Sequence, residues 1–162
     1  MVLILFVSGP ERTLDRSGED SFAAAPPPVP DESPLDSPPR EEARPILLPI
    51  AHTTTALNSE ETSANEDFLI IETLLTHSQR HHGGNPIGDN DDLVAALRGR
   101  NQKTLAYLPS DHSALDQQGQ LLDRWGTPYH FHTLSGTHME IRSAGPDHAL
   151  WTKDDLVHNA DD

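Results

Sequence analysis

Three aspartates near the C-terminus have a spacing that suits a divalent cation. Within the stretch SAGPDHALWTKDDLV, residues 143–157, they are Asp147, Asp154 and Asp155. Gly145 and Pro146 form a turn signal just before them, so the chain can bend and bring the carboxylates and the carbonyl near Ala144 together. Ca²⁺ takes about six to eight oxygen ligands, whereas Mg²⁺ keeps more water in its shell. The alternative is a solvated acidic turn, and the spacing alone leaves both open.

Histidine pairs offer a second possible metal chemistry. His77 and His81 are four residues apart on a predicted helix with His82 adjacent, and His130 and His132 share one face of a predicted strand. Both spacings are compatible with Zn²⁺, which would make a histidine-dependent zinc hydrolase an alternative function. No glutamate lies between the helical pair in an HExxH arrangement, so we interpret these histidines as exposed or half-buried structural residues.

The sequence contains no recognisable catalytic motif. It has no GxSxG elbow, no GxGxxG or phosphate-binding loop, and no cysteine nucleophile. The 11 Lys and Arg residues are outnumbered by 26 Asp and Glu, and the net charge of −15 repels phosphate backbones and anionic membrane surfaces. Without cysteine, neither a disulfide framework nor a thiolate metal site can form. These features predict a non-enzymatic protein that does not bind nucleic acid.

The periodicity of apolar residues predicts helices first and strands afterwards. Ser63 and Glu66 have capping-box spacing at the start of an amphipathic helix, and Gly83 follows its end. Asn90 or Asp91 is expected to cap a short second helix. KTLAYLP is a possible short strand, and YHFHTL and HMEIRS alternate as in a β-hairpin. This order predicts an α+β fold with the two helices packed on a small antiparallel sheet.

The stretch LLDRWGTPY, residues 121–129, combines aromatic residues, glycine and proline just before the predicted hairpin. A tryptophan buries a large area, so we interpret this corner as an anchor of the core. Stacking of a ligand on its aromatic rings is the alternative.

Composition divides the chain at residue 62. Residues 1–7, MVLILFV, are wholly apolar but shorter than the roughly 20 residues of a membrane span, and we interpret them as the remnant of a membrane or signal segment, the alternative being a frayed terminus. Ten of the 14 prolines lie within residues 1–50, among serines and acids. Residues 8–62 are therefore predicted to form a disordered, acidic stalk, in which the apolar PILLPI either docks or stays exposed. The predicted globular domain spans residues 63–160.

Two of these stretches together resemble the C-terminal globular domain of the type II secretion system major pseudopilin, protein G. The D-x-WG-x-PY motif of that family is matched by Asp123, Trp125, Gly126, Pro128 and Tyr129. Its S-x-GPD segment with a later aspartate pair is matched by Ser143, Gly145, Pro146, Asp147, Asp154 and Asp155. The resemblance covers residues 66–157.

The resemblance implies a pseudopilin-like fold and a calcium-stabilised C-terminal loop. Asp147, Asp154 and Asp155 would supply side-chain ligands, and carbonyls near Ala144 and within residues 149–152 would complete the shell. It further implies protein subunits of a pseudopilus or secretion machinery as partners, in the periplasm or at the inner membrane of a bacterium. The alternative function is a pseudopilin-derived adaptor module that binds a protein partner outside secretion.

Overall fold

The computed structural model describes residues 44–159. They form two α-helices, α1 (Ala64–His82) and α2 (Asn90–Leu97), and two 3₁₀ helices, Pro49–Ala56 and Gly145–Asp147. The strands are β1 (Ile46–Leu47), β2 (Leu105–Ala106), β3 (His130–Thr133), β4 (Met139–Ser143) and β5 (Leu156–Asn159). Helices and strands are thus mixed within one folded unit, and the α+β prediction is confirmed.

Helix α1 begins and ends where the sequence predicts. The Glu66 carboxylate accepts the Ser63 backbone N–H at 2.7 Å, and the Ser63 hydroxyl accepts the Glu66 N–H at 3.3 Å, which completes the capping box. Gly83 terminates the helix in the left-handed conformation with a φ of 84°. One face of the helix is buried, through Phe68, Ile71, Leu74 and Leu75.

Helix α2 starts differently from the prediction. Asp89 occupies the capping position without a capping hydrogen bond from its side chain, and Asn90 is already helical. The Asn90 amide points into the protein instead: it donates to the carbonyls of Leu121 (3.1 Å) and Tyr129 (2.6 Å) and accepts the Leu121 N–H at 2.7 Å. Capping by Asn90 or Asp91 was therefore a wrong prediction, because a buried tertiary contact competes for the Asn90 side chain.

The predicted hairpin forms two strands of a three-stranded antiparallel sheet in the order β3-β4-β5, with β4 at the centre. His130 pairs with Arg142 in the hairpin, and Ser143 pairs with Leu156 of β5, a strand the sequence did not predict. Helix α1 packs on this sheet, where the Phe68 ring stacks on His158 with centroids 5.5 Å apart. Helix α2 packs against α1 and β2.

The apolar island PILLPI belongs to the folded unit. Strand β1 pairs in parallel with β2, so that Ile46 lies opposite Leu105, and the 3₁₀ helix that follows packs on α1. Ala51 and Leu57 are buried. The boundary at residue 62 is thus corrected: residues 44–62 are part of the domain because this parallel pairing and burial hold them there. The rest of the predicted stalk and the apolar N-terminal run lie outside the described residues.

Candidate functional site

The three candidate aspartates lie on one loop, the aspartate loop, which we define as residues 144–155. It connects the antiparallel strands β4 and β5, and the pairing of Ser143 with Leu156 brings its two ends together. The loop begins with the 3₁₀ helix Gly145–Asp147, so Asp147 lies near one end and Asp154 at the other. Strand pairing, which acts between residues distant in sequence, therefore assembles the site.

The two ends of the loop are in close contact at Gly145. This residue has a φ of 70°, and a Cβ placed on it would lie 2.4 Å from the carbonyl oxygen of Asp154. Only glycine tolerates both the left-handed backbone and this approach. Across the contact the Asp147 N–H donates to Oδ2 of Asp154 at 3.1 Å. This hydrogen bond holds the Asp154 carboxylate against the backbone of Asp147.

Asp155 has a different environment from the other two aspartates. Its Oδ2 accepts the Trp151 N–H at 2.8 Å and Nη1 of Arg142 at 2.9 Å, and its Oδ1 accepts the Thr152 N–H at 3.2 Å. The Asp155 side chain is only 3 % exposed. It therefore fixes the shape of the loop around a guanidinium group.

Arg142 also contacts Trp151. Its guanidinium carbon lies 4.4 Å from the centroid of the Trp151 ring, and the His130 ring meets that ring edge-on at 5.2 Å. Trp151 nevertheless remains 66 % exposed and has a φ of 72°, which is unusual for a bulky residue. The loop thus presents a positioned aromatic ring to solvent.

The hydrogen bonds of the loop favour ionised carboxylates. The Thr152 hydroxyl, and then the Asp147 N–H, hold the pKa of Asp154 below its usual range against the opposing effect of desolvation. Burial raises the pKa of Asp155, but the hydrogen bonds from Arg142 and from the N–H groups of Trp151 and Thr152 lower it by more. Both aspartates are therefore charged at neutral pH.

Asp123 links the aspartate loop to the aromatic corner, residues 121–129, a role that the sequence did not reveal. Its buried carboxylate accepts the N–H groups of Trp125 at 3.0 Å and Thr127 at 2.8 Å, and the Ser143 hydroxyl at 2.6 Å. The Ser143 hydroxyl in turn accepts the Gly145 N–H at 3.2 Å. The two sequence motifs thus meet in space, which their separation along the chain could not establish.

The core anchor within the aromatic corner is Tyr129, which is 3 % exposed and packs against Phe68 and Phe131. Burial, and then the nearby carboxylates of Asp67 and Asp123, raise the pKa of the Tyr129 hydroxyl. Trp125, which we expected to anchor the core, is only half-buried. The tyrosine follows Pro128 directly into β3 and can reach the core, whereas the tryptophan lies in the preceding turn.

The predicted histidine pairs occupy unrelated environments. Nδ1 of His81 lies 3.0 Å from the Tyr107 hydroxyl, His82 is half-buried, and His130 packs on Trp151. His132 is exposed on β3. Within residues 44–159 no group of three or more histidines or carboxylates is arranged to hold a metal ion.

The aspartate loop is among these residues, and its aspartates differ in how well they suit a cation. Asp147 and Asp154 fit, because the Asp154 carboxylate lies against the Asp147 backbone and, within residues 44–159, neither side chain forms an ion pair with a basic group. Asp155 is directed towards Arg142. Ala144 is buried at the start of the first turn of the loop.

No family model, no curated protein and no solved structure matches the chain. Among the helices of the described residues, none has the length and apolar character needed to span a membrane. Function is therefore inferred from the geometry of the aspartate loop and from the motifs that it contains.

Proposed function

We propose that the described domain is a non-enzymatic, pseudopilin-like protein-assembly module whose aspartate loop binds Ca²⁺. The observation that carries the proposal is the closure of the loop at Gly145, which brings the Asp154 carboxylate against the backbone of Asp147. Carboxylates gathered on one short loop repel each other, and a hard divalent cation among them removes that repulsion.

Asp147 and Asp154 would be the principal carboxylate ligands, and the carbonyl near Ala144 would add a further oxygen. Asp155 is the third proposed ligand. Its oxygens already accept hydrogen bonds from Arg142 and from two backbone N–H groups, but a carboxylate has about four lone-pair sites and can serve a cation as well. When bound, the ion supplies charge neutralisation and a fixed loop geometry rather than reaction chemistry.

A protein partner is supported by the outer surface of the loop. Trp151 is exposed but fixed against Arg142 and His130, and Val157 on the neighbouring edge strand β5 is 42 % exposed. A large aromatic ring that is already ordered loses little conformational entropy on binding. This surface suits contact with further subunits of a pseudopilus-like or secretion assembly, and equally with the partner of an adaptor module.

The proposal includes an extracytoplasmic location with a membrane tether. Its support is the apolar run of residues 1–7 and the proline-rich, acidic composition up to residue 50. Calcium is also abundant outside the cytoplasm, so a weak site would be filled there.

Thermal unfolding of the full chain, followed by circular dichroism, tests the calcium proposal. The melting temperature is measured in EDTA and then with Ca²⁺, Mg²⁺ and Zn²⁺ added separately. We expect Ca²⁺ to stabilise the wild type by about 2.7 kcal/mol at a hundredfold excess over Kd. Asp147→Ala and Asp154→Ala should lose this increment, while Asp111→Ala, which removes an exposed carboxylate elsewhere, should keep it.

Identical melting in EDTA and in calcium would contradict the calcium site. A rise with zinc alone, abolished by His81→Ala, would support the histidine-dependent alternative instead. Removal of the increment by Asp155→Ala but not by Asp147→Ala would show that the cation lies elsewhere on the loop.

A further inference from the structure

A second feature of the molecule lies away from the aspartate loop. A cavity of about 660 Å³ opens between the start of the described chain, helix α2 and the loop of residues 110–119. Arg44, Arg98 and Arg100 line it, and we call it the arginine cavity. These are three of the eight lysines and arginines in residues 44–159, and two aspartates, Asp91 and Asp92, line the same cavity.

The three arginines lack acidic partners within the part of the chain that the structure describes. Elsewhere, Arg124 pairs with Asp67, and Arg142 pairs with Asp155 and Glu140. No carboxylate of residues 44–159 forms an ion pair with an arginine of the cavity. In a chain whose 26 acids outnumber 11 basic residues, arginines gathered without acidic partners are an arrangement that an external anion would stabilise.

Arg98 is the most constrained member of the cavity. Its Nη2 donates to the Ser110 carbonyl at 3.1 Å, and a Cβ placed on Gly119 would lie 3.3 Å from its Nη1. Its Nε is buried and has no hydrogen-bond partner. The hydrogen bond to Ser110 therefore holds the Arg98 guanidinium at the wall of the cavity before any ligand arrives.

We propose that the arginine cavity binds the carboxylate groups of an acidic peptide segment of a partner protein. A guanidinium group presents a planar pair of donors that matches a carboxylate. Asp91 and Asp92 line the same cavity and oppose a compact, doubly charged anion at its centre. An extended peptide can place single carboxylates at the arginines and pass the aspartates with its neutral backbone.

Fluorescence anisotropy of a labelled, end-capped hexaglutamate peptide titrated with the full chain tests this proposal. The net charge of −15 repels the probe at long range, so binding would report a local cationic site. We expect binding that weakens with added salt. Arg98→Gln and Arg100→Gln should each weaken it at least about tenfold, with Arg80→Gln, an exposed arginine outside the cavity, as the unchanged control.

Circular dichroism would reveal whether Arg98→Gln disturbs folding. Arg100 is exposed, so Arg100→Gln would still test the proposal in that case. Equal binding of a capped hexaglutamine peptide, or equal weakening by Arg80→Gln, would overturn the proposal. Displacement of the peptide by equimolar inorganic phosphate would indicate a small-anion site. Self-association that hexaglutamate reverses would identify a second copy as the occupant. Asp147→Ala should leave peptide binding intact, which separates this site from the calcium proposal.

Discussion

Arg142 is the cation that the structure already supplies to the aspartate loop, and its removal should destabilise the loop without any metal present. In Arg142→Gln, Asp155 loses the hydrogen bond from Nη1 at 2.9 Å, and Trp151 loses the guanidinium 4.4 Å above its ring. A hydrogen bond to a charged group contributes about 1.5–3 kcal/mol. Because the Arg142 side chain is 18 % exposed, solvent screening reduces the upper end of this range. We expect the free energy of unfolding to fall by about 2 kcal/mol in EDTA at neutral pH.

The pairing of Arg142 with Asp155 also predicts how the stability difference between wild type and Arg142→Gln depends on pH. The pKa of Asp155 is lowered in the folded protein below the ordinary value of an aspartate side chain, so the pairing stabilises the fold above that ordinary value and is lost as the pH falls through the folded pKa. The stability gap between wild type and Arg142→Gln should therefore be full at neutral pH and should narrow below about pH 4.

Urea denaturation of the full chain, followed by circular dichroism in EDTA at several pH values, measures both quantities. Arg142→Lys keeps the charge but loses the planar donors, and its stability should lie between those of the wild type and Arg142→Gln. Arg80→Gln is the control for removal of an exposed arginine. A change below about 0.5 kcal/mol for Arg142→Gln at neutral pH, within the range of ordinary surface substitutions, would show that Arg142 does not stabilise the loop.

Two further substitutions test the framework that holds the site. Asp67→Ala removes a fully buried carboxylate that accepts hydrogen bonds from Arg124 and the Asn58 N–H. It should lower the free energy of unfolding, measured by urea denaturation, by about 3–5 kcal/mol. Asp111→Ala, which removes an exposed carboxylate, should change it little. Gly145→Ala should lower the melting temperature markedly, because its Cβ would lie 2.4 Å from a backbone oxygen. Gly136→Ala is the control and should not lower it, because a Cβ there has nothing within 4 Å. Equal melting temperatures of the two variants would show that the ends of the aspartate loop can separate freely.

Local signals in the sequence predicted the elements whose formation depends on neighbouring residues. The capping box of Ser63 and Glu66, the glycine at the end of α1 and the alternating hairpin strands all appear where expected. Each involves groups a few residues apart, so the chain between them leaves little conformational freedom.

Elements that depend on distant partners escaped prediction. Strand β1 has only two residues and pairs with β2, which lies almost 60 positions later, so no periodicity marks it. The side chain of Asn90, whose type and position suggest a helix cap, instead donates hydrogen bonds to the carbonyls of Leu121 and Tyr129. In both cases a tertiary contact outweighs the local preference.

The same distinction between local signals and tertiary contacts applies to the candidate site. The side chains that can carry the chemistry are evident from the residue types: aspartates around a Gly-Pro turn, in an acidic chain without cysteine. The folded chain adds that Asp154 contacts the backbone of Asp147, that Asp155 bonds to Arg142 of the neighbouring strand, and that three arginines share one cavity. Residue type sets charge and hydrogen-bonding capacity, whereas strand register and the close approach at Gly145 set which charged groups meet.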